Sequence, residues 1–68
     1  MIEKGIYRHF KGNLYEVLFL ARESDDECEV VVYKALYGDG QIWVRSAEEF
    51  AETVTRDGKT FKRFEKVE

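Results

Sequence analysis

The sequence predicts a mainly β protein: a small five-stranded antiparallel SH3-like barrel with one short helix before the last strand. Apolar and polar residues alternate over several strand-length runs, the first at residues 5–11. Glycine-containing turn signals, Gly12-Asn13 and Gly38-Asp39-Gly40, separate these runs. Ser46-Ala47-Glu48-Glu49 then matches a capping box, the signature of a helix start. The barrel is a fold-level analogy and implies no activity.

Length and cysteine content limit how the chain is stabilised. The 68 residues suffice for a single domain, residues 1–68. Such a core supplies a net stability of only ~3–5 kcal/mol. Cys28 is the only cysteine, so no disulfide forms within the chain, and its neighbours Glu27 and Glu29 disfavour a thiolate. A lone cysteine without a signal peptide predicts a cytoplasmic protein. No apolar run approaches the ~20 residues that span a bilayer, so no membrane association is expected.

The charge distribution is uneven along the chain. Residues 23–29 include five acidic side chains and no basic one, whereas the basic residues lie mostly near the two ends. The net charge of −3 argues against an obligate nucleic-acid binder, because backbone binding depends on clustered cations.

The central hairpin, residues 33–46, determines the predicted faces of the sheet. A three-residue Gly38-Asp39-Gly40 loop pairs Leu36 with Ile42 and Lys34 with Val44. A two-residue loop would instead place Lys34 beside Arg45, an unfavourable like-charge pair. The three-residue loop separates an aliphatic face, predicted to point inward, from an aromatic face, predicted to point outward.

The neighbouring strands extend these two faces. A two-residue turn near Gly12 places Tyr7, His9 and Lys11 on the side of Leu14, Glu16 and Leu18. A four-residue loop after Glu23 pairs Ala21 with Val30, Phe19 with Val32 and Tyr15 with Leu36. The predicted core therefore comprises Ile6, Phe10, Tyr15, Val17, Phe19, Val30, Val32, Leu36, Ile42, Val44 and Phe50.

The C-terminal part is predicted to add a helix and a strand. The helix starts at Ala47, runs to about Thr53 and packs Phe50 on the sheet. Asp57-Gly58 marks a turn, after which residues 60–66 form the last strand with Phe61 or Phe64 inward.

The aromatic outer face is the candidate binding surface. Large apolar groups on the surface of a small protein usually mark an interface, and Trp, Tyr and Arg most often anchor such contacts. The alternative is that barrel curvature, the helix or the C-terminal segment covers part of this face. The candidate binding residues are Tyr7, His9, Lys11, Tyr33, Tyr37, Trp43 and Arg45.

Two functions are consistent with this face. The first is a binding module for a protein partner or for a second copy in a homodimer. The alternative is binding of single-stranded nucleic acid or a nucleotide, with bases stacked on Trp43 and the tyrosines and with Lys11 and Arg45 near phosphate. An enzyme is not expected, since His9, the only histidine, lacks a recognisable nucleophile or ligand set. We expect no metal and no cofactor.

Several motifs of the chain resemble a known bacterial family. GIYRHFKGNLYEV, ARES, VVYKALYGDGQIWVRS and DGKTFKRF look like the domain-of-unknown-function family numbered 1653, over nearly the whole chain. Members usually read ARHSE where this chain has Ala21-Arg22-Glu23-Ser24-Asp25, and carry proline where it has Ser46. The resemblance implies a compact, mainly β domain of a cytoplasmic bacterial protein and implies no reaction.

Overall fold

The computed structural model describes residues 2–68, in which seven strands and one short helix follow one another. The two segments Leu14–Arg22 and Glu29–Ala35, rich in β-branched and aromatic residues, form the longest strands. In chain order the elements are β1 (Gly5–His9), β2 (Leu14–Arg22), β3 (Glu29–Ala35), β4 (Ile42–Ser46), α1 (Ala47–Phe50), β5 (Thr53–Arg56), β6 (Lys59–Lys62) and β7 (Phe64–Lys66).

Five strands form one antiparallel sheet in the order β4-β3-β2-β1-β7, and β5 and β6 form a separate hairpin. The hairpin turns at Asp57 and Gly58, where a turn was predicted, and both residues have positive φ, as in a two-residue hairpin turn. The single last strand predicted over residues 60–66 is instead divided between β6 and β7. The mainly β class is confirmed. Within residues 2–68 the edge strands β4 and β7 do not pair with each other, so the SH3-like barrel is not confirmed.

The turn between β1 and β2 is longer than predicted. Gly12 N–H donates to His9 O at 2.7 Å, and His9 N–H donates to Asn13 O at 2.8 Å. The loop therefore has three residues, with Gly12 at a φ of 110°. The extra residue reverses the pairing of the faces, so that Tyr7 lies opposite Tyr15 instead of beside Glu16. The predicted first hairpin had the wrong faces together.

The pairing of β2 with β3 contains a β-bulge. Ala21 pairs with Val30 and Phe19 with Val32, as predicted, but the register shifts between Val17 and Phe19. Tyr15 consequently pairs with Ala35 and not with the predicted Leu36. A bulge inserts one extra residue into a strand, so the alternation of side chains between the two faces of the sheet breaks at this point. Val17, before the bulge, therefore lies on the face of Tyr33, whereas Phe19, after it, lies on the face of Val32.

In the hairpin of β3 and β4, the aliphatic and aromatic side chains are divided between the two faces as predicted, but the pairing register differs from the predicted one by two residues. Lys34 pairs with Ile42 and Val32 with Val44, so the predicted Leu36–Ile42 pair is wrong. The loop is longer than predicted, because Gly40 N–H donates to Tyr37 O at 3.0 Å and Ala35 N–H to Gln41 O at 2.9 Å. A shift of two residues keeps each side chain on its own face.

The aromatic face, not the aliphatic one, forms the core. Of the predicted core residues, Val17 and Phe50 are buried, whereas Phe19, Leu36, Ile42 and Val44 are exposed. The tyrosines can be buried because their rings meet other aromatic rings and their hydroxyls find partners, as Tyr7 does by donating to Glu3 O at 2.8 Å. The buried residues are Tyr7, Val17, Val31, Tyr33, Ala35, Phe50 and Phe64.

The short helix closes this core. Ser46 caps α1 as predicted: its Oγ accepts from Glu49 N–H at 3.1 Å. The helix ends at Phe50, earlier than the predicted Thr53, because the chain turns into β5. Phe50 stacks on Phe64, with ring centroids 4.0 Å apart and planes 4° from parallel. Of the two residues that the sequence left open, Phe64 points inward and Phe61 is exposed. Within the part of the chain that the structure describes, no helix is long and apolar enough to cross a membrane.

We predict that Phe50→Ala unfolds the domain. Removing a buried phenylalanine costs ~3–5 kcal/mol of unfolding free energy, which matches the whole net stability expected of so small a core. Phe61→Ala is the matched control, because Phe61 is an exposed phenylalanine of β6. Urea unfolding followed by circular dichroism measures both. Equal midpoints for the two variants would contradict the central role of the Phe50–Phe64 stack.

Candidate interaction surface

The candidate residues on the aromatic face divide into a buried and an accessible group. Tyr7 and Tyr33 lie in the core beneath Phe50, with edge-to-face ring centroids 5.3 and 5.5 Å from it. The helix and the C-terminal segment therefore cover this part of the face, the alternative that the sequence left open. His9 and Arg45 are half-buried, and Lys11, Tyr37 and Trp43 remain exposed.

Tyr37, Trp43 and Arg45 mark the uncovered margin of the aromatic face. Tyr37 and Tyr15 share a hydrogen bond of 2.7 Å between their hydroxyls. Burial of Tyr15, followed by this bond, raises the pKa of Tyr15 to about 12. Arg45 Nε donates to Tyr33 OH at 3.4 Å, and its Cζ lies 5.9 Å from the Phe64 ring. Trp43 is 49% exposed beside them.

His9 is held as a neutral acceptor at the edge of the core. Its ring lies 4.9 Å from that of Phe64 and 4.5 Å from that of Phe10. Lys11 N–H donates to His9 Nδ1 at 3.2 Å. Burial, and then the positive charges of Arg45, Arg63 and Lys11, lower the pKa of His9 below its usual value. The predicted first hairpin put Glu16 on the same side as His9. In the structure Glu16 pairs with Ile6, on the opposite face of the sheet.

The opposite face of the sheet carries an exposed apolar strip, which we define as Phe19, Val32, Ile42 and Val44. Phe19 pairs with Val32 and Val32 with Val44, so three of the residues form one row across β2, β3 and β4. Val44 is 65% exposed, Ile42 60% and Phe19 51%. These four residues were predicted to be core. The sequence correctly grouped them on one face of the sheet, but it did not indicate which of the two faces is covered.

A concave surface, which we call the basic groove, lies where the β5–β6 hairpin approaches β1 and β7. It has a volume of about 490 Å³, and its walls include Arg8, Phe10, Phe61, Lys62 and Glu65. The Phe10 and Phe61 rings lie 5.6 Å apart. Arg56 and Lys11 lie over Phe10, at 5.2 and 5.9 Å from its centroid. The sequence did not predict this groove: Phe10 was predicted to be core, and the approach of the hairpin depends on tertiary structure.

In the loop between β2 and β3, the ionisable groups of Cys28 and Asp26 contact each other. Cys28 is exposed, and its hydrogen bond to Asp26, together with the negative charge of that carboxylate, raises the pKa of the thiol. Residues 2–68 contain no group of three or more His, Cys, Asp and Glu side chains placed to hold a metal ion. Asp26 is committed locally, since its Oδ1 accepts from Cys28 N–H at 2.9 Å.

Comparison with known proteins identifies the family. Residues 5–66 match the family described as "Protein of unknown function (DUF1653)". A crystal structure of a member from Bordetella bronchiseptica is similar over 97% of this chain and 87% of that chain, with 35% sequence identity and a TM-score of 0.89. No curated protein matches the chain. The chain belongs to the DUF1653 family, as its motifs indicated.

The environment of His9 predicts a pH dependence of stability. Because the pKa of His9 is lower in the folded protein than in the unfolded chain, the unfolded chain binds this proton first as the pH falls. His9 therefore contributes a loss of stability as the pH falls below the usual histidine value of 6.5. We expect the urea midpoint of the protein to fall between pH values of about 7.5 and about 5.5, and to fall less in His9→Gln. An equal fall in both proteins would contradict the lowered pKa.

Proposed function

We propose that the domain is a protein-interaction module that contacts a protein partner or a second copy through the apolar strip and the adjoining margin at Trp43. The observation that carries the proposal is the apolar row on β2, β3 and β4, in which Phe19 and Val44 are exposed and Val32 between them is half-buried. Contiguous exposed apolar surface is rare on small soluble monomers and usually marks a contact site.

The residues at the margin of the aromatic face, on the other side of β4 from the strip, favour a protein as the ligand. Trp43 and Tyr37 at the margin of β4 are large amphipathic side chains of the kind that dominate binding energy at protein interfaces. Arg45, oriented by Tyr33 and Phe64, adds a charged group beside Trp43. In this proposal Tyr7 and Tyr33 are buried on the other face of the sheet, and His9 and Lys11, at the end of β1 and in the turn after it, lie outside the contact surface.

Substitutions in the strip test this proposal. We predict that Ile42→Thr combined with Val44→Thr lowers retention of the bound protein at least tenfold, while β-branched threonine preserves the strand. The tagged domain is incubated with bacterial lysate containing an untagged copy, with and without nuclease, and retained proteins are identified by mass spectrometry. Val67→Thr, an exposed valine beyond β7, is the matched control. Unchanged retention by the double variant would refute the proposal.

A second candidate function is the binding of a nucleotide or single-stranded nucleic acid, which we propose for the basic groove instead of the aromatic face that the sequence indicated. The specific observation is that Phe10 and Phe61 lie side by side, with Arg8 and Lys62 in the same walls. Bases stack on aromatic side chains while cations approach the phosphates, which is how proteins bind single strands without reading sequence. The net charge of −3 weakens long-range attraction, so this function ranks second.

Titration with a short oligonucleotide tests the second candidate. We predict that any binding weakens severalfold in Arg8→Gln and declines as the salt concentration rises. Lys34→Gln is the matched control, because Lys34 lies on the same face of the sheet but pairs with Ile42, outside the groove. Equal affinities for the two variants, or binding that is insensitive to salt, would exclude the groove.

The proposal also concerns setting and architecture. It assigns the domain to the bacterial cytoplasm, where a free exposed thiol such as that of Cys28 stays reduced. It assigns no reaction and no cofactor. The SH3-like barrel enters only as an analogy, supported by the order of strands and the helix before the last part of the chain.

A further inference from the structure

The strand β4 has an unpaired edge. It is one end of the five-stranded sheet and, among residues 2–68, hydrogen bonds to β3 alone. In an antiparallel pair, every second residue exchanges backbone hydrogen bonds with the neighbouring strand. Ala35 N–H donates to Gln41 O, so Trp43 and Arg45, two and four residues further along, are the residues of β4 that bond to β3. The backbone groups of Ile42, Val44 and Ser46 therefore point away from the sheet.

Apart from the charged side chain of Arg45, which points to the core face, this edge lacks the features that usually prevent strands from associating. Natural edge strands are commonly protected by lysine, proline, bulges or extreme shortness. Ile42 and Val44, whose backbone groups point away from β3, have side chains that are more than half exposed. The pairing of β4 with β3 contains no register shift. At five residues β4 is of ordinary length for a strand.

We propose that β4 pairs antiparallel with β4 of a second copy of the chain, about a two-fold axis at Val44. This inference rests on the proposed function and names its partner. With the axis at Val44, Val44 faces Val44 of the partner subunit and Ile42 faces Ser46 of the partner subunit. All outward backbone positions of both strands then meet one another as hydrogen-bonded pairs. An axis at Ser46 would instead bring α1 of each copy into the interface, since the helix begins at Ala47.

The side chains on both faces are complementary in this register. On the aromatic face Trp43 lies opposite Arg45 of the partner subunit, a favourable cation–π pair, and the two Arg45 residues are not opposite each other. On the other face Val44 continues the apolar strip into the partner subunit. The strips of the two copies join into one apolar surface across six strands.

The size of this contact determines the expected affinity. Only β4 of each copy takes part, so the buried area lies below that of a standard stable interface. We therefore expect a weak, concentration-dependent dimer, mostly monomeric at micromolar and mostly dimeric at millimolar concentration.

Disulfide trapping tests both the dimer and its register. In a Cys28→Ser background, Val44→Cys places two thiols on the two-fold axis, with Cα atoms about 5.5 Å apart, within the range for a disulfide. Mild oxidation with diamide, which accepts the two electrons and two protons, should then give a covalent dimer. Ile42→Cys is the matched control: its side chain is as exposed, on the same face of the same strand. In the proposed register the two substituted sites lie about 13 Å apart.

We expect Val44→Cys to form the covalent dimer at least tenfold faster than Ile42→Cys, and sedimentation of the unmodified protein to show dimer at millimolar concentration. Equal rates of trapping would overturn the register, and a strict monomer at millimolar concentration would overturn the dimer. In that second case, retention of a foreign protein that is lost in the Ile42→Thr, Val44→Thr variant would leave the proposed function standing. Loss of dimer and of all strip-dependent retention would refute both.

Discussion

The stacking of Phe50 on Phe64 is the contact on which the rest of the structure depends. One ring comes from the short helix after β4 and the other from the start of β7, the opposite edge strand of the sheet. The pair covers Tyr7 and Tyr33 and so decides which face of the sheet is the core. Two elements distant in sequence thereby complete a core that the meander of β1 to β4 cannot complete alone.

Tyrosine suits this arrangement because it has both an apolar ring and a polar end. The ring of Tyr33 is packed by Phe50 and Phe64, while its hydroxyl accepts from Arg45 at the margin of the core. Tyr15 and Tyr37 satisfy each other in the same way. Aromatic burial with satisfied hydroxyls lets the core extend to the surface without leaving these tyrosine hydroxyls unpaired. The aromatic face thus serves as a core whose margin remains open at Trp43.

Much of the local structure could be predicted from the sequence, and the side of the sheet that is buried could not. The Ser46 cap, the Asp57-Gly58 turn, the inward Phe64 and the separation of Val32 and Val44 from Tyr33 all follow from local patterns. The length of the first turn and the bulge after Val17 do not, because bulges depend on how the whole sheet twists and packs. Each adds one residue, and one residue is enough to exchange the faces of a strand.

The exchange of faces has a direct consequence for function. An aliphatic face would be an adequate core, yet here Phe19, Ile42 and Val44 of the strip lie exposed. Burial of the strip against another protein gains about 25 cal/mol for each Å² of apolar surface removed from water. The net stability of so small a domain is low. A partner that binds the strip of the folded protein and does not bind the unfolded chain increases the free energy of unfolding. In the function that we propose, the same side chains therefore link association to folding.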